Sequence, residues 1–263
     1  MNKSTMRRFG PIEAEIIARL SYEKKTIVTT KELDDFFNLS SIERAKIVVR
    51  LKKKNILIPV KRGVYIFSPL EAGPEGIGID EMLIPPLYCS KNSYYVGYST
   101  MFNYYGFTEQ LFQTVYVLNT SFTRKKVICG VTFKFLKIPR KRMYGLKKIQ
   151  VKDTEVIISN KERTLIDLLY FYKPVGGIEA ASKVFKKNIE EKQCNIKKLI
   201  SYACKFPNIT LRKRVGIIFE GLGIDDFLLR PLAKTVEKTA ISSLNRSRKG
   251  IINKKWRVIV NAS

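Results

Sequence analysis

The segment Thr29 to Phe67 constrains this chain more than any other, because two helix-start signals and a glycine turn follow one another within it. Thr29-Thr30-Lys31-Glu32 is a capping box, in which a threonine hydroxyl accepts from an orphan amide while the glutamate reaches back. Leu33, Phe36 and Phe37 give the helix that follows a buried face. A second box, Ser40-Ser41-Ile42-Glu43, opens a helix predicted to run to about Asn55, with only the Asn38-Leu39 region between the two. Ile56 to Val60 and Val64 to Phe67 are short, partly β-branched apolar runs around the turn Lys61-Arg62-Gly63, which reads as a hairpin. Two closely spaced helices and a hairpin outline a winged helix-turn-helix, with Pro11 to Leu20 (Ile12, Ile16, Ile17 and Leu20 facing inward) as the first helix of its core.

At about 100° per residue, the second of these helices places Ala45, Ile47, Val48 and Leu51 on one arc, and Lys46, Arg50, Lys53, Lys54 and Glu43 on the other. A cationic helix face is ordinarily a solvated face. The hairpin favours a partner, since Lys61 and Arg62 stand where a wing would meet phosphate. The candidate DNA-binding set is therefore Ser40, Ser41 and Glu43 at the helix start, Lys46, Arg50, Lys53 and Lys54 along it, and Lys61 and Arg62 on the wing. Arg50 is the leading base contact, because a guanidinium fork can read guanine O6 and N7.

Charge agrees with a polyanionic partner. The 263 residues hold 49 Lys and Arg against 23 Asp and Glu, a formal charge of +26. The excess is not confined to the helices above: residues 173 to 263 carry 20 basic and 7 acidic groups. Charge of that sign attracts nucleic acid in a salt-dependent way without naming a site.

No histidine occurs, which removes Ser-His-Asp and Cys-His catalysis and His-ligated metal sites. No nucleotide-cradling or nucleophile-elbow motif is present, and Gly176-Gly177 reads as a turn before a helix. Asp153, Glu155, Glu162 and Asp167 supply acids without the spacing of a metal site. Cys89, Cys129, Cys194 and Cys204 are far apart and suggest neither a zinc ribbon nor a disulfide framework. No enzyme, cofactor or metal is predicted. With no apolar run of membrane length and no apolar core in Met1 to Pro11, the expectation is a cytoplasmic protein.

Prolines and glycines between Ser68 and Lys91 mark a boundary, giving 1–70 as the winged helix-turn-helix and 71–263 as a mixed α+β C-terminal domain. Within the latter, Ser93 to Phe107, Val115 to Asn119, Val131 to Ile138 and Glu155 to Ile158 read as strands, and Thr123 to Lys126 as a basic loop. A short helix is expected around Glu81 to Ile84. Ser159 or Asn160 caps a helix bearing Leu165, Ile166, Leu168 and Leu169, and further helices are expected at Ile178–Lys187, Asn195–Phe206 and Leu211–Leu222. Trp256 to Val260 is expected to close the sheet. Arg163 and Asp167, four apart on a helix, suit an ion pair in the interior, and Glu162 near the helix start suits the dipole.

These segments resemble the AbiEi family, the antitoxin and transcriptional-repressor component of type IV toxin–antitoxin and abortive-infection modules. The resemblance is carried by Lys61-Arg62-Gly63-Val64-Tyr65, by Tyr94-Tyr95-Val96-Gly97-Tyr98-Ser99 through Tyr105-Gly106-Phe107-Thr108-Glu109-Gln110, by Val115-Tyr116-Val117, and most specifically by Glu162-Arg163-Thr164-Leu165-Ile166-Asp167-Leu168-Leu169. It spans residues 10 to 260 in order; Tyr105 stands before Gly106 where many members have a histidine. The resemblance implies a repressor of its own promoter acting at inverted repeats, with a C-terminal domain that counteracts a nucleotidyltransferase-like toxin without a stable complex. A homodimer would match the symmetry of such repeats. Three other readings stay open from the residues: a stand-alone regulator whose Tyr94, Tyr95 and Tyr98 line an effector pocket, an RNA-binding protein using its basic C-terminal surface, and, ranked last, a nuclease or phosphoryl-transfer enzyme opposing the toxin, which would need paired carboxylates and a metal.

Overall fold

The computed structural model describes residues 8–73, 80–89, 93–243 and 250–260. Helix α1 (Pro11–Tyr22) begins with proline at its first position, where the missing N–H costs nothing. It buries Ile16, Ile17 and Leu20. Ile12, expected inside, is 42% exposed, and the inward place next to it belongs to Glu13. A short strand, β1 (Ile27–Thr29), leads into α2 (Thr30–Phe37). Thr29 Oγ1 accepts from the Glu32 amide at 3.2 Å, and the Glu32 carboxylate accepts from Thr29 N–H at 2.8 Å, so the expected capping box is formed. The helix stops at Asn38, whose φ of +47° is left-handed, a conformation asparagine tolerates better than most residues.

Helix α3 (Ser41–Lys53) starts from the second box, with Ser40 N–H donating to Glu43 at 3.1 Å and Glu43 N–H to Ser40 Oγ at 3.3 Å. Strands β2 (Leu57–Lys61) and β3 (Val64–Phe67) form the hairpin, turning through Gly63 at φ +73°. The three strands are antiparallel in the order β1-β3-β2. Leu33, Ile47, Val48, Leu51, Leu57 and Phe67 join the α1 residues in one core. Ala45 is exposed, against expectation, and Phe36 and Phe37 are half-buried beneath the guanidinium of Arg19.

After the hairpin comes a 3₁₀ turn at Glu81–Leu83, close to where a short helix was expected, and the single-turn α4 (Pro85–Tyr88). The residues 93–107, expected as strand, form β4 (Tyr94–Val96) followed by α5 (Ser99–Tyr104), with Tyr98 at φ +53° breaking the strand. Strands β5 (Thr114–Asn119), β6 (Arg124–Ile128), β7 (Val131–Lys137), β8 (Leu146–Val151) and β9 (Thr154–Ser159) complete a six-stranded mixed sheet ordered β6-β7-β5-β4-β9-β8. The basic loop expected at Thr123 to Lys126 is thus largely an edge strand, and Lys147-Lys148 lie in the strand at the other edge. Lysines on edge strands discourage pairing with another chain. On the inner strands Val115, Val117, Phe133 and Phe135 alternate inward and are 3% exposed or less.

Helices α6 (Lys161–Tyr170), α7 (Ile178–Glu190), α8 (Ile196–Lys205), α9 (Ile209–Gly221) and α10 (Asp226–Lys234) form the helical part. Asn160, Asn195 and Asn208 cap α6, α8 and α9 through their side-chain oxygens. α6 is buried from Arg163 to Leu169 and carries much of this core. The expected closing strand does not join the large sheet: β12 (Val258–Val260) lies between β10 (Ser242–Ser243) and β11 (Ile251–Asn253) in a small sheet of its own. Trp256 precedes it as a fully buried plug over Gly216 of α9, where a Cβ would lie 2.1 Å from the indole ring. The protein is a mixed α+β fold.

The N-terminal unit and the sheet share apolar surface. Val60 and Ile66 of the hairpin belong to the same buried cluster as Tyr94, Val117, Phe133 and Phe135. The Tyr88 hydroxyl donates to Val60 O and the Lys61 ammonium to Leu87 O. The Pro/Gly-rich stretch therefore follows a hairpin that is already docked on what comes after it.

Candidate functional site

The outward face of α3 follows from which residues its core takes. Ile47, Val48 and Leu51 point inward, which at about 100° per residue leaves Ile42, Ala45, Lys46, Val49, Arg50 and Lys53 outside, all exposed. The ion pair of Arg44 with Asp34 ties this helix to α2. Two of the sequence candidates serve the cap: Ser40 and Glu43 bond to each other, and the Ser40 hydroxyl and amide hold the Glu43 carboxyl below its ordinary range. Ser41 is exposed beside them.

Arg50 and Lys54 meet at Glu13. The carboxylate is 2% exposed, with Arg50 Nε 2.5 Å from Oε1 and the Lys54 ammonium on Oε2. Burial pushes the Glu13 pKa up, but the Lys54 hydrogen bond, the Gly10 amide and the two cations outweigh it and the value falls. Arg50 keeps an exposed side chain, 55% accessible, whereas Lys54 at 23% turns back toward Glu13 and away from the outward face. Lys46 and Lys53 remain outside, as do Lys61 and Arg62 in the hairpin. Lys61 leans over the Tyr88 ring at 6.0 Å, and Lys126 of β6 approaches the same ring at 5.4 Å. The hairpin and the basic edge of the sheet thus bring Lys61 and Lys126 to one ring.

The C-terminal motif is sealed inside. Arg163, at 0% exposure, donates from Nε to Asp167 at 3.1 Å, from Nη1 to the carbonyls of Arg142 and Tyr144, and from Nη2 to the Tyr95 hydroxyl at 2.8 Å. Arg142 donates to the Tyr98 hydroxyl at 3.0 Å and lies 3.9 Å from Asp167. Burial raises the Asp167 pKa against the pull of both guanidiniums; burial likewise lifts Tyr98 to about 12. This arrangement fastens β4, the Arg140–Arg142 turn and α6 together. Tyr94, Tyr95 and Tyr98, expected to line an effector pocket, are buried at 4% exposure or less. Glu162 accepts from the Asn195 amide at 3.2 Å, at the start of α8.

The acids do not converge. Glu155 pairs across the β8–β9 hairpin with Lys148 at 2.9 Å, and Asp167 is enclosed. Among the described residues no group of three or more His, Cys, Asp or Glu could hold a metal ion. The four cysteines are free thiols, and burial lifts the pKa of each, Cys89 to about 12. Raised thiol values make poor nucleophiles.

No family model and no curated protein matches this chain. It folds like the RV2827C protein from Mycobacterium tuberculosis. The likeness covers 96% of this chain and 92% of that one, with a TM-score of 0.67 at 12% identity. At that identity the RV2827C protein speaks for the fold alone, over the N-terminal unit and the α+β region together.

What sequence reasoning missed on this surface is apolar. Ile42 is 67% exposed and Val49 49%, beside Ala45, which was expected inside. The angular positions of Ile42 and Val49, about 20° apart and opposite Ile47 and Leu51, carried the signal.

Proposed function

We propose that residues 1–70 are a winged helix-turn-helix that binds double-stranded DNA, with α3 in the major groove and the β2–β3 hairpin as the wing. The observation that carries the reading is the exposed α3 face from which Lys46, Arg50 and Lys53 project, followed by a hairpin in which Lys61 and Arg62 are exposed. The order α1, β1, α2, α3, β2, β3, with β3 between β1 and β2, suits that motif, and the +26 charge suits phosphate. Arg50 reads a base from a position held by Glu13, Lys46 and Lys53 flank it, and Lys61 and Arg62 contact backbone phosphate.

The wider role is a transcriptional autorepressor and the antitoxin of a type IV system, acting at inverted repeats in its own promoter and opposing a nucleotidyltransferase-like toxin without a stable complex. The support for this half is the resemblance to the AbiEi family, above all Glu162 to Leu169. Residues 71–263 are the antitoxin domain, in which Glu162, Arg163 and Asp167 are structural. The repressor is a cytoplasmic homodimer; among the described residues no helix is long and apolar enough to cross a membrane.

The test is a titration of the full chain on its own upstream DNA against a scrambled duplex at two salt concentrations. A preference for the upstream fragment that persists at the higher salt supports the reading. Equal binding that collapses with salt reduces the charge to a nonspecific effect.

A further inference from the structure

The centre of the exposed α3 face is hydrophobic. Taking Ser41 as zero, Ala45, Val49 and Ile42 lie at about 40°, 80° and 100°, while the core residues Ile47, Leu51 and Val48 fall between about 240° and 340°. The line pointing farthest from the core therefore runs through Ile42 and Val49. Lys53, Lys46 and Arg50 border that line on one side, and Lys52 borders it on the other. Ala45 and Val49, with the stems of Lys46 and Arg50, line a shallow hollow. None of the three apolar side chains belongs to the N-terminal core.

We propose that Ile42, Ala45 and Val49 read the 5-methyl groups of thymines in the major groove, which gives the protein a preference for A·T pairs under the centre of α3. The inference rests on the DNA-binding reading above. Thymine is the base that shows an apolar group in the major groove, and apolar side chains are its natural complement. Ile42 and Val49 are seven positions apart, about 10.5 Å along the axis, or about three base steps. The cations on both sides of the stripe fit the two phosphate walls of a groove. A second copy of α3 laid on the same stripe would gather Lys46, Lys52 and Lys53 of both copies around one interface, so the charge favours a polyanion over self-association.

The experiment uses the full chain and a random-sequence duplex library. Enriched duplexes are remade with deoxyuridine replacing thymidine one position at a time, which removes the methyl group and leaves the hydrogen-bonding edge in place. At two or three adjacent positions the wild type should lose about fourfold in affinity per methyl. Val49→Ala and Ile42→Ala, exposed substitutions that leave the core untouched, should bind the thymidine duplex more weakly and lose that thymidine-to-deoxyuridine ratio. Equal affinity for both duplexes, or an undiminished ratio in both variants, overturns the methyl readout while leaving DNA binding intact. A dimer in sedimentation that Val49→Ala dissolves overturns it also, assigning the stripe to a second copy. If no duplex is enriched at all, the DNA-binding reading itself falls.

Discussion

Glu13 Oε1 lies 2.5 Å from Arg50 Nε, so an almost fully buried acid on the first helix fixes an exposed arginine on the third. Through this pair α1 sets where the guanidinium points. The side chain is 55% exposed beyond the pair, and a guanidinium fork suits a purine edge.

Arg50→Ala should cost about 1–3 kcal/mol in specific binding and flatten sequence preference at one position. Glu13→Gln should keep the guanidinium but let it swing, lowering discrimination between duplexes more than affinity for any DNA. Paired titrations on an enriched and a scrambled duplex separate the two effects.

Acid should weaken the N-terminal unit through the same carboxylate. The Glu13 pKa is depressed in the fold below its ordinary value of 4.5, so its stabilisation is complete above that pH and is lost as pH falls through the folded value. Glu13→Gln should lower stability by about 1–2 kcal/mol at pH 7. Thermal midpoints of the two proteins should converge as pH falls below 4.5 and through the folded value.

Arg62 and Lys61 should differ. Arg62 is exposed in the hairpin turn, so Arg62→Ala should weaken all duplexes alike and reduce the salt slope by about one. Lys61 also binds Leu87 O, so Lys61→Ala should in addition lower the melting temperature. Salt-dependent titration with parallel thermal unfolding checks both.

Removing one partner of the sealed pair should be severe. Asp167→Ala leaves Arg163 buried without its counter-ion and should cost about 3–5 kcal/mol. Chemical denaturation measures it. Gly216→Ala should cost about 1–3 kcal/mol by driving a methyl into the Trp256 ring, and the displaced indole should show as a shifted fluorescence maximum.

Features encoded locally were legible in the sequence. Both capping boxes, the Gly63 hairpin and the helix after Asn160 depend on residues within a few positions of one another, and each formed where expected. Long-range causes were not legible. Glu13 displaces Ile12 as the buried neighbour because its partners Arg50 and Lys54 come from the far end of α3, distant along the chain. Strands β6 and β8 carry lysines because they are sheet edges, which their sequences alone do not reveal. Helix α10 contains Pro231, a signal against a helix, and β12 pairs with short strands whose register only the folded chain supplies. At the site, the cations were found by type, whereas the Ile42–Val49 stripe required knowing which arc the core had taken.

Because Val60 and Ile66 are buried against the sheet, a fragment ending after the hairpin would carry an uncovered apolar flank. Such a fragment should be sticky in solution, and the remainder of the chain, lacking two members of its buried cluster, should be susceptible to digestion. Limited proteolysis between Leu70 and Ser93 should accordingly yield two pieces that stay together under native conditions and part only in denaturant.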